Sequence, residues 1–213
     1  MRFLCLHGMG TNGKIFEIQT AAIRHSLGDR HTYEWLDGPV TTQMAPGIGD
    51  MVSEHDEFLM WADDTEQSQA LALTELLEFT ENEGPFDVLM AFSQGAGCGA
   101  TLLIHLIQLQ QCRGSEAVRL PFRCAVFFCG APPLQQPGCE LKEEIIDIPT
   151  AHIWGRNDTL YHYGPELSRF CKAASRETLV LDGGHEIPGP RDMTAVATCV
   201  QVIRRTLMRA GLE

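Results

Sequence analysis

Short apolar runs alternate along the chain with stretches whose apolar positions recur three and four residues apart. The runs fall at 3–7, 31–36, 88–92, 123–129, 149–154 and 177–181, bounded by turn-forming residues. Such runs read as strands buried on both faces. Between them, residues 14–26 place Ile15, Ile18, Ala22 and Ile23 at helical spacing. A second helix follows the cap residue Thr65, carries Leu73, Leu76, Leu77 and Phe79 on one face, and closes at Gly84-Pro85. A third starts after residue 93 and runs to Leu109, and the last spans 190–210 with Val196, Cys199, Val200, Ile203 and Leu207 in one stripe before Gly211. Strands alternating with helices predict a mostly parallel sheet with helices on both faces. No repeat or linker divides residues 1–213, so one domain is expected.

The periodicity fails between 39 and 64. Pro46, Gly47 and Gly49 interrupt it, yet Met44, Met51, Phe58, Met60 and Trp61 are large and apolar. A loop of that length in a compact domain is expected to be a lid or binding loop, and these five side chains are its expected substrate contacts. Residues 134–147, with Glu140, Glu143 and Glu144, read as a solvated loop or short helix.

Candidate chemistry begins where the run at 88–92 ends. Ala91-Phe92-Ser93-Gln94-Gly95 fits the G-x-S-x-G nucleophile elbow, with Ala in the first glycine position. A serine is exposed for attack only if the backbone turns sharply from strand to helix. That turn crowds positions 91 and 95, so both are small. The following Ala96, Gly97, Cys98, Gly99 and Ala100 let the helix press on the sheet, and its first N–H groups point at whatever the serine attacks. The alternative is a serine that merely caps a helix.

Position along the chain separates these readings. Asp158 follows the run at 149–154 and His185 follows the last run. Ser, Asp, His is the chain order of α/β-hydrolases, with each residue just past the carboxyl end of a strand. His185 is then the base for Ser93, and Asp158 holds its tautomer. Asp182 is a rival acid, only three residues from His185. Cys98 sits inside a helix without an activator and reads as core, as does His105 as a packed or surface histidine. The loop Gly8-Met9-Gly10-Thr11-Asn12-Gly13 has two readings. It matches G-x-G-x-x-G literally, which would make a nucleotide-dependent oxidoreductase with Asp37 on the ribose. It also fits an oxyanion loop in which the Met9 N–H works with that of Gln94 while His7 braces the turn.

Composition narrows the classes. The chain has 213 residues, 44% hydrophobic and 21% charged, which suits a folded core rather than disorder. A net charge of -12 argues against nucleic-acid binding and favours a neutral, apolar or cationic ligand. Eight scattered cysteines without a CxxC pair argue against zinc ribbons and thioredoxin chemistry, and imply reduced thiols in the cytoplasm. The opening apolar run is too short for a secretory leader, and no membrane span is expected. No metal or cofactor is called for.

Four blocks then carry a resemblance over nearly the whole chain. They are Leu4-Cys5-Leu6-His7-Gly8, Ala91-Phe92-Ser93-Gln94-Gly95-Ala96, Gly155-Arg156-Asn157-Asp158 and Gly183-Gly184-His185-Glu186-Ile187-Pro188. In this order they resemble the FSH serine hydrolases, a group related to the ovarian-cancer-associated gene 2 product, and residues 4–24 look like its fungal, polyketide-associated branch. The resemblance implies an α/β-hydrolase fold with a compact sheet of about six strands. It also implies Ser93, Asp158 and His185 as the triad and Met9 and Gln94 as oxyanion donors. Ala91 departs from the usual glycine. The implied reaction is hydrolysis of an ester or thioester, in the sharper form release of a polyketide acyl chain from an acyl carrier domain. A general carboxylesterase and a non-catalytic binding protein on the same scaffold are the alternatives.

Overall fold

In the computed structural model, residues 1–49, 52–53, 55–113, 120–134 and 142–213 are described. The six apolar runs become strands β1 (Arg2–Leu6), β2 (Thr32–Leu36), β5 (Val88–Phe92), β6 (Cys124–Phe128), β7 (Thr150–Gly155) and β8 (Arg176–Leu181). They form one sheet in the order β2-β1-β5-β6-β7-β8. Every neighbouring pair is parallel. The chain starts at β1, steps outward to β2, and returns to β5 on the other flank. The strand order therefore reverses between β1 and β5, where open sheets of this kind form a crevice at their carboxyl ends. Met9 follows β1 and Ser93 follows β5, so the topology sets both beside that crevice.

Alternate residues of each central strand feed opposite layers. Leu4, Leu6, Leu89, Ala91, Ala125 and Phe127 pack under helices α3 (Glu66–Glu83) and α4 (Gln94–Arg113) with Leu76, Leu103 and Ile107. Phe3, Cys5, Val88, Met90, Val126 and Phe128 face α1 (Gly13–Gln19), α2 (Ala21–Leu27) and α6 (Met193–Arg209) with Phe16, Ile23, Val200 and Ile203. Truncating a side chain as enclosed as Ile203 to Ala costs about 2–5 kcal/mol in such a layer.

The helix expected over 14–26 is two helices. The Thr20 hydroxyl donates back to the carbonyls of Phe16 at 2.9 Å and Glu17 at 3.3 Å. Back-bonding of this kind bends a helix. The Thr65 cap and the Gly84 stop fall where expected. A short helix α5 (Tyr163–Ser168) lies between β7 and β8.

The described part of the segment 39–64 has more order than its lack of period suggests. Strands β3 (Val40–Thr41) and β4 (Leu59–Met60) pair antiparallel. Their ribbon is tied by backbone bonds to the loop after β1. Gly10 N–H donates to Leu59 O at 2.9 Å, Leu59 N–H to Thr11 O at 2.8 Å, and Ala45 N–H to Gly10 O at 2.9 Å. The order comes from a remote loop rather than from an amphipathic face, so no hydrophobic period marks it.

Candidate active site

The turn at Ser93 has a left-handed backbone, φ +52°. That conformation costs a non-glycine residue roughly 1–2 kcal/mol, and backbone bonds hold it. Ser93 N–H donates to Phe128 O at 2.9 Å, while Ser93 O accepts from Ala96 N–H and Ala131 N–H, each at 3.0 Å. The small size of Gly95 has a different cause from the crowding expected with Ala91. A Cβ there would stand 2.3 Å from His7 O and 2.6 Å from Leu6 O, so the glycine lets α4 start against the end of β1.

On one side of Ser93 stands His185, with Nε2 2.9 Å from the Ser93 hydroxyl oxygen. Its Nδ1 lies 2.7 Å from Asp158 Oδ2. A carboxylate can only accept, so Nδ1 carries the proton and Nε2 is free to accept the serine O–H. The Asp158 side chain is 2% exposed and that of His185 28%. The second carboxylate oxygen, Oδ1, accepts from Leu160 N–H at 2.7 Å. Gly155 makes this meeting possible. A Cβ on it would lie 2.1 Å from Gly183 O, so only a glycine lets the loops after β7 and β8 touch backbone to backbone. Asn157 N–H then donates to Gly183 O at 2.9 Å. The rival Asp182 points to solvent and pairs with Arg156 at 3.1 Å.

On the other side runs the loop 8–13. Gly8 lies against Ser93, since a Cβ on it would be 2.7 Å from the Phe92 ring and 3.2 Å from Ser93 Cβ. Met9, 54% exposed, is next in line, and Gln94 is the first residue of α4. The Gln94 amide is turned away to hold the ribbon. Its Oε1 accepts from Trp61 N–H at 2.8 Å and its Nε2 donates to Ala62 O at 2.7 Å. His7 is buried beneath. Gly38 N–H donates to its Nε2 at 2.9 Å, and its Nδ1 lies 2.8 Å from Gly8 O. The ring is therefore a neutral Nδ1–H tautomer, and burial holds its pKa below the usual histidine value.

The nucleotide reading of this loop fails on its donors. Gly13 N–H is taken by Asp37 Oδ1 at 2.6 Å, Ile15 N–H by Asn12 Oδ1 at 2.8 Å, and Gly10 N–H by Leu59 O. The groups that would cradle a phosphate already have acceptors, and Asp37 caps α1 instead of facing a ribose. Cys98 is fully buried, and burial raises its thiol pKa well above the ordinary value.

The five expected pocket residues separate. Trp61 is 1% exposed. It packs on the His7 ring at 5.3 Å and donates from Nε1 to His7 O at 2.8 Å. It is a core anchor of the ribbon and not a pocket wall: its indole N–H, which needs a partner when buried, found one inside. Met44 is exposed, Phe58 and Met60 are half-buried, and Met51 lies outside the described residues. Sequence reasoning treated Cys129 only as the end of a strand. Its φ of +44° and its place beside Asp158 and His185 are tertiary facts with no local signal. The structuring role of the Gln94 amide was equally hidden.

The model of the family described as Serine hydrolase (FSH1) matches residues 1–196. The esterase FPY3 of Fusarium mangiferae is 34% identical over 201 residues, covering 88% of this chain and 88% of its own. The esterase FUS5 of Gibberella fujikuroi is 30% identical over 220 residues, covering 98% and 89%. Among solved structures, a carboxylesterase from Mesorhizobium loti superposes with a TM-score of 0.62 at 17% identity, covering 96% of this chain and 88% of its own. That likeness concerns the fold, which is the α/β-hydrolase fold.

Proposed function

This chain belongs to the serine hydrolase (FSH1) family, and from that premise we propose that Ser93, His185 and Asp158 are its catalytic triad, working through an acyl-serine intermediate. The observation that carries the reading is the unbroken relay of 2.9 Å from Ser93 to His185 and 2.7 Å from His185 to Asp158. Ser93 Oγ attacks the acyl carbonyl as its proton passes to His185 Nε2. Asp158 keeps Nδ1–H in place and stabilises the imidazolium. The Met9 and Gln94 N–H groups receive the oxyanion. His185 returns the proton to the departing alcohol or thiol, then draws one from water to release the acid and free Ser93.

The substrate is an ester or thioester with an apolar acyl part, in the sharper reading a polyketide chain carried by an acyl carrier domain. The resemblance of residues 4–24 to the fungal branch supports this, as do the fungal esterase relatives and the partly exposed Met44, Phe58 and Met60. Residues 39–64 serve as wall and lid of the acyl site within a single domain spanning 1–213. The acidic chain suits no nucleic-acid partner. No described helix is long and apolar enough to cross a membrane. The seven described cysteines are unpaired, which supports a reducing cytoplasmic setting.

A fluorophosphonate probe tests the triad: it labels Ser93 in the native protein and leaves Ser93→Ala unlabelled. A panel of simple esters, free thioesters and carrier-bound thioesters tests the substrate. Faster turnover of carrier-bound chains is expected. Turnover of simple esters alone returns the reading to a general carboxylesterase, and absence of labelling leaves a binding protein.

A further inference from the structure

Behind the relay lies a group with no part in it. Cys129 opens the turn after β6 with its thiol buried, facing the Glu186 carbonyl at 3.7 Å and the Gly184 carbonyl at 4.0 Å. Both carbonyls flank His185 in sequence. One ligand atom each from Cys129, Asp158 and His185 lie within 4.8 Å of one another. A thiol, a carboxylate and an imidazole are a donor set suited to a borderline-soft cation.

We propose that Cys129, Asp158 and His185 form an inhibitory site for Zn²⁺ or a similar thiophilic dication, which silences the hydrolase by taking the proton-relay atoms as ligands. The distances suit a modest rearrangement. Tetrahedral zinc holds such donors about 3.3–3.7 Å apart, given bond lengths of roughly 2.0–2.3 Å. The 2.7 Å contact between His185 and Asp158 opens, and the sulfur closes in.

Charge balance favours the exchange. Before binding the group carries -1, on Asp158. Zn²⁺ enters and the Cys129 thiol loses its proton to solvent. The Nδ1 proton of His185 moves to Nε2 as Nδ1 becomes a ligand. The product is neutral, with one proton released and no redox change. Burial and the Asp158 charge keep the free thiol protonated, its pKa pushed up to about 12. A bound dication reverses that electrostatic penalty. The partly exposed imidazole gives the ion its way in. Inhibition follows from the tautomer, because Nε2 now carries hydrogen and can no longer accept the Ser93 proton. This last step rests on the triad reading above, while the binding step does not.

The test uses metal-stripped full-length protein on a Cys112→Ser, Cys139→Ser background, which removes an exposed thiol and one outside the described residues. Titration with Cd²⁺ should raise a thiolate-to-cadmium charge-transfer band that saturates at one equivalent. Cys129→Ser should abolish the band, whereas Cys98→Ser should keep it. Cys129→Ala serves the same purpose if the serine variant does not fold. Zn²⁺ should inhibit ester hydrolysis reversibly, with relief by EDTA, and Cys129→Ser should need at least about tenfold more Zn²⁺. An absent band, a band that survives loss of Cys129, or equal Zn²⁺ sensitivity in the variant overturns the site. Probe labelling of Ser93 without metal separates the two readings. Labelling without a band sinks the metal site alone, and a band without labelling sinks the triad while leaving the ligand set standing.

Discussion

The two flanks of Ser93 are built on different physics. The loop after β1 is held mostly by neutral bonds reaching in from distant segments, with the Asp37 and Asp56 carboxylates adding charge only at its far end. Trp61 grips His7 O, Gly38 grips the His7 ring, Asn12 Nδ2 donates to Glu57 O at 2.8 Å, and the Gln94 amide clasps residues 61 and 62. Across the crevice, the loops after β7 and β8 meet through a glycine contact and present one buried carboxylate to one partly exposed imidazole. In the proposed mechanism the first flank supplies fixed dipoles, which help a developing oxyanion only if they do not move. In the proposed mechanism the second passes a proton in both directions, so it needs charge, reach and a route to water. Rigidity comes from side-chain bonds to the backbone on one side, and reactivity from one carboxylate hydrogen-bonded to one neutral imidazole on the other.

The largest expected effect removes the atom that both flanks serve. Ser93→Ala should lower kcat/KM by about 10⁴-fold or more, towards the uncatalysed rate. The folded state should survive, because the turn is held by backbone bonds at residue 93 and not by its hydroxyl. Steady-state assays beside a thermal melt check both halves. Retained turnover would move the nucleophile elsewhere.

Next in size, Asp158→Asn breaks the charged flank alone. An amide at that position favours the wrong imidazole tautomer, so kcat should fall about 10³–10⁴-fold with little change in KM. If KM rises instead while kcat holds, Asp158 shapes binding and the two flanks do not divide the work between them.

The contrast also accounts for what the sequence made legible. Both-face burial writes a strand as a continuous apolar run, so the sheet could be read in its six parts. Ser93, Asp158 and His185 each follow such a run, which is why the sequence alone places them at one edge. The neutral flank left no comparable trace. Trp61 looked like a lid residue because a large aromatic signals burial without saying where. The ribbon of β3 and β4 draws its order from backbone bonds to residues 10 and 11, and backbone bonds have no side-chain signature. Cys129 looked like one more small apolar residue at a strand end, although its left-handed backbone and its neighbours set it apart.

A smaller effect concerns pH. His7 on the neutral flank and His152 in β7 are buried, and burial lowers both pKa values, that of His152 to about 3. Below pH 6.5 the unfolded chain therefore binds protons that the folded chain refuses. Stability should be full above pH 6.5 and fall as the pH drops towards the folded values, by at most about 1.4 kcal/mol per pH unit for each imidazole. Denaturant unfolding at pH 7, 6 and 5.5 measures the slope, and His7→Gln should make it shallower. An unchanged slope in that variant would mean that the His7 ring charges within the fold, and is no neutral brace.

The smallest effect tests the outermost tie of the neutral flank. Lys14, largely exposed on α1, meets Asp56 at 3.1 Å, and Asp56 accepts from Ser53 N–H at 2.7 Å. The Asp56 carboxyl is held below its usual range first by that backbone bond and then by the lysine. The lysine is therefore an accessory to a turn that already has its own acceptor, and an ion pair open to water is weak and screened by salt. Lys14→Ala should cost no more than about threefold in kcat/KM at low ionic strength and nothing measurable near 0.5 M salt, where the screening length falls to about 4 Å. Assays at both ionic strengths decide the matter. A loss that ignored salt would mean that the lysine stem, and not its charge, steadies the ribbon, and the neutral flank would then depend on packing at its rim as well as on the hydrogen bonds at its centre.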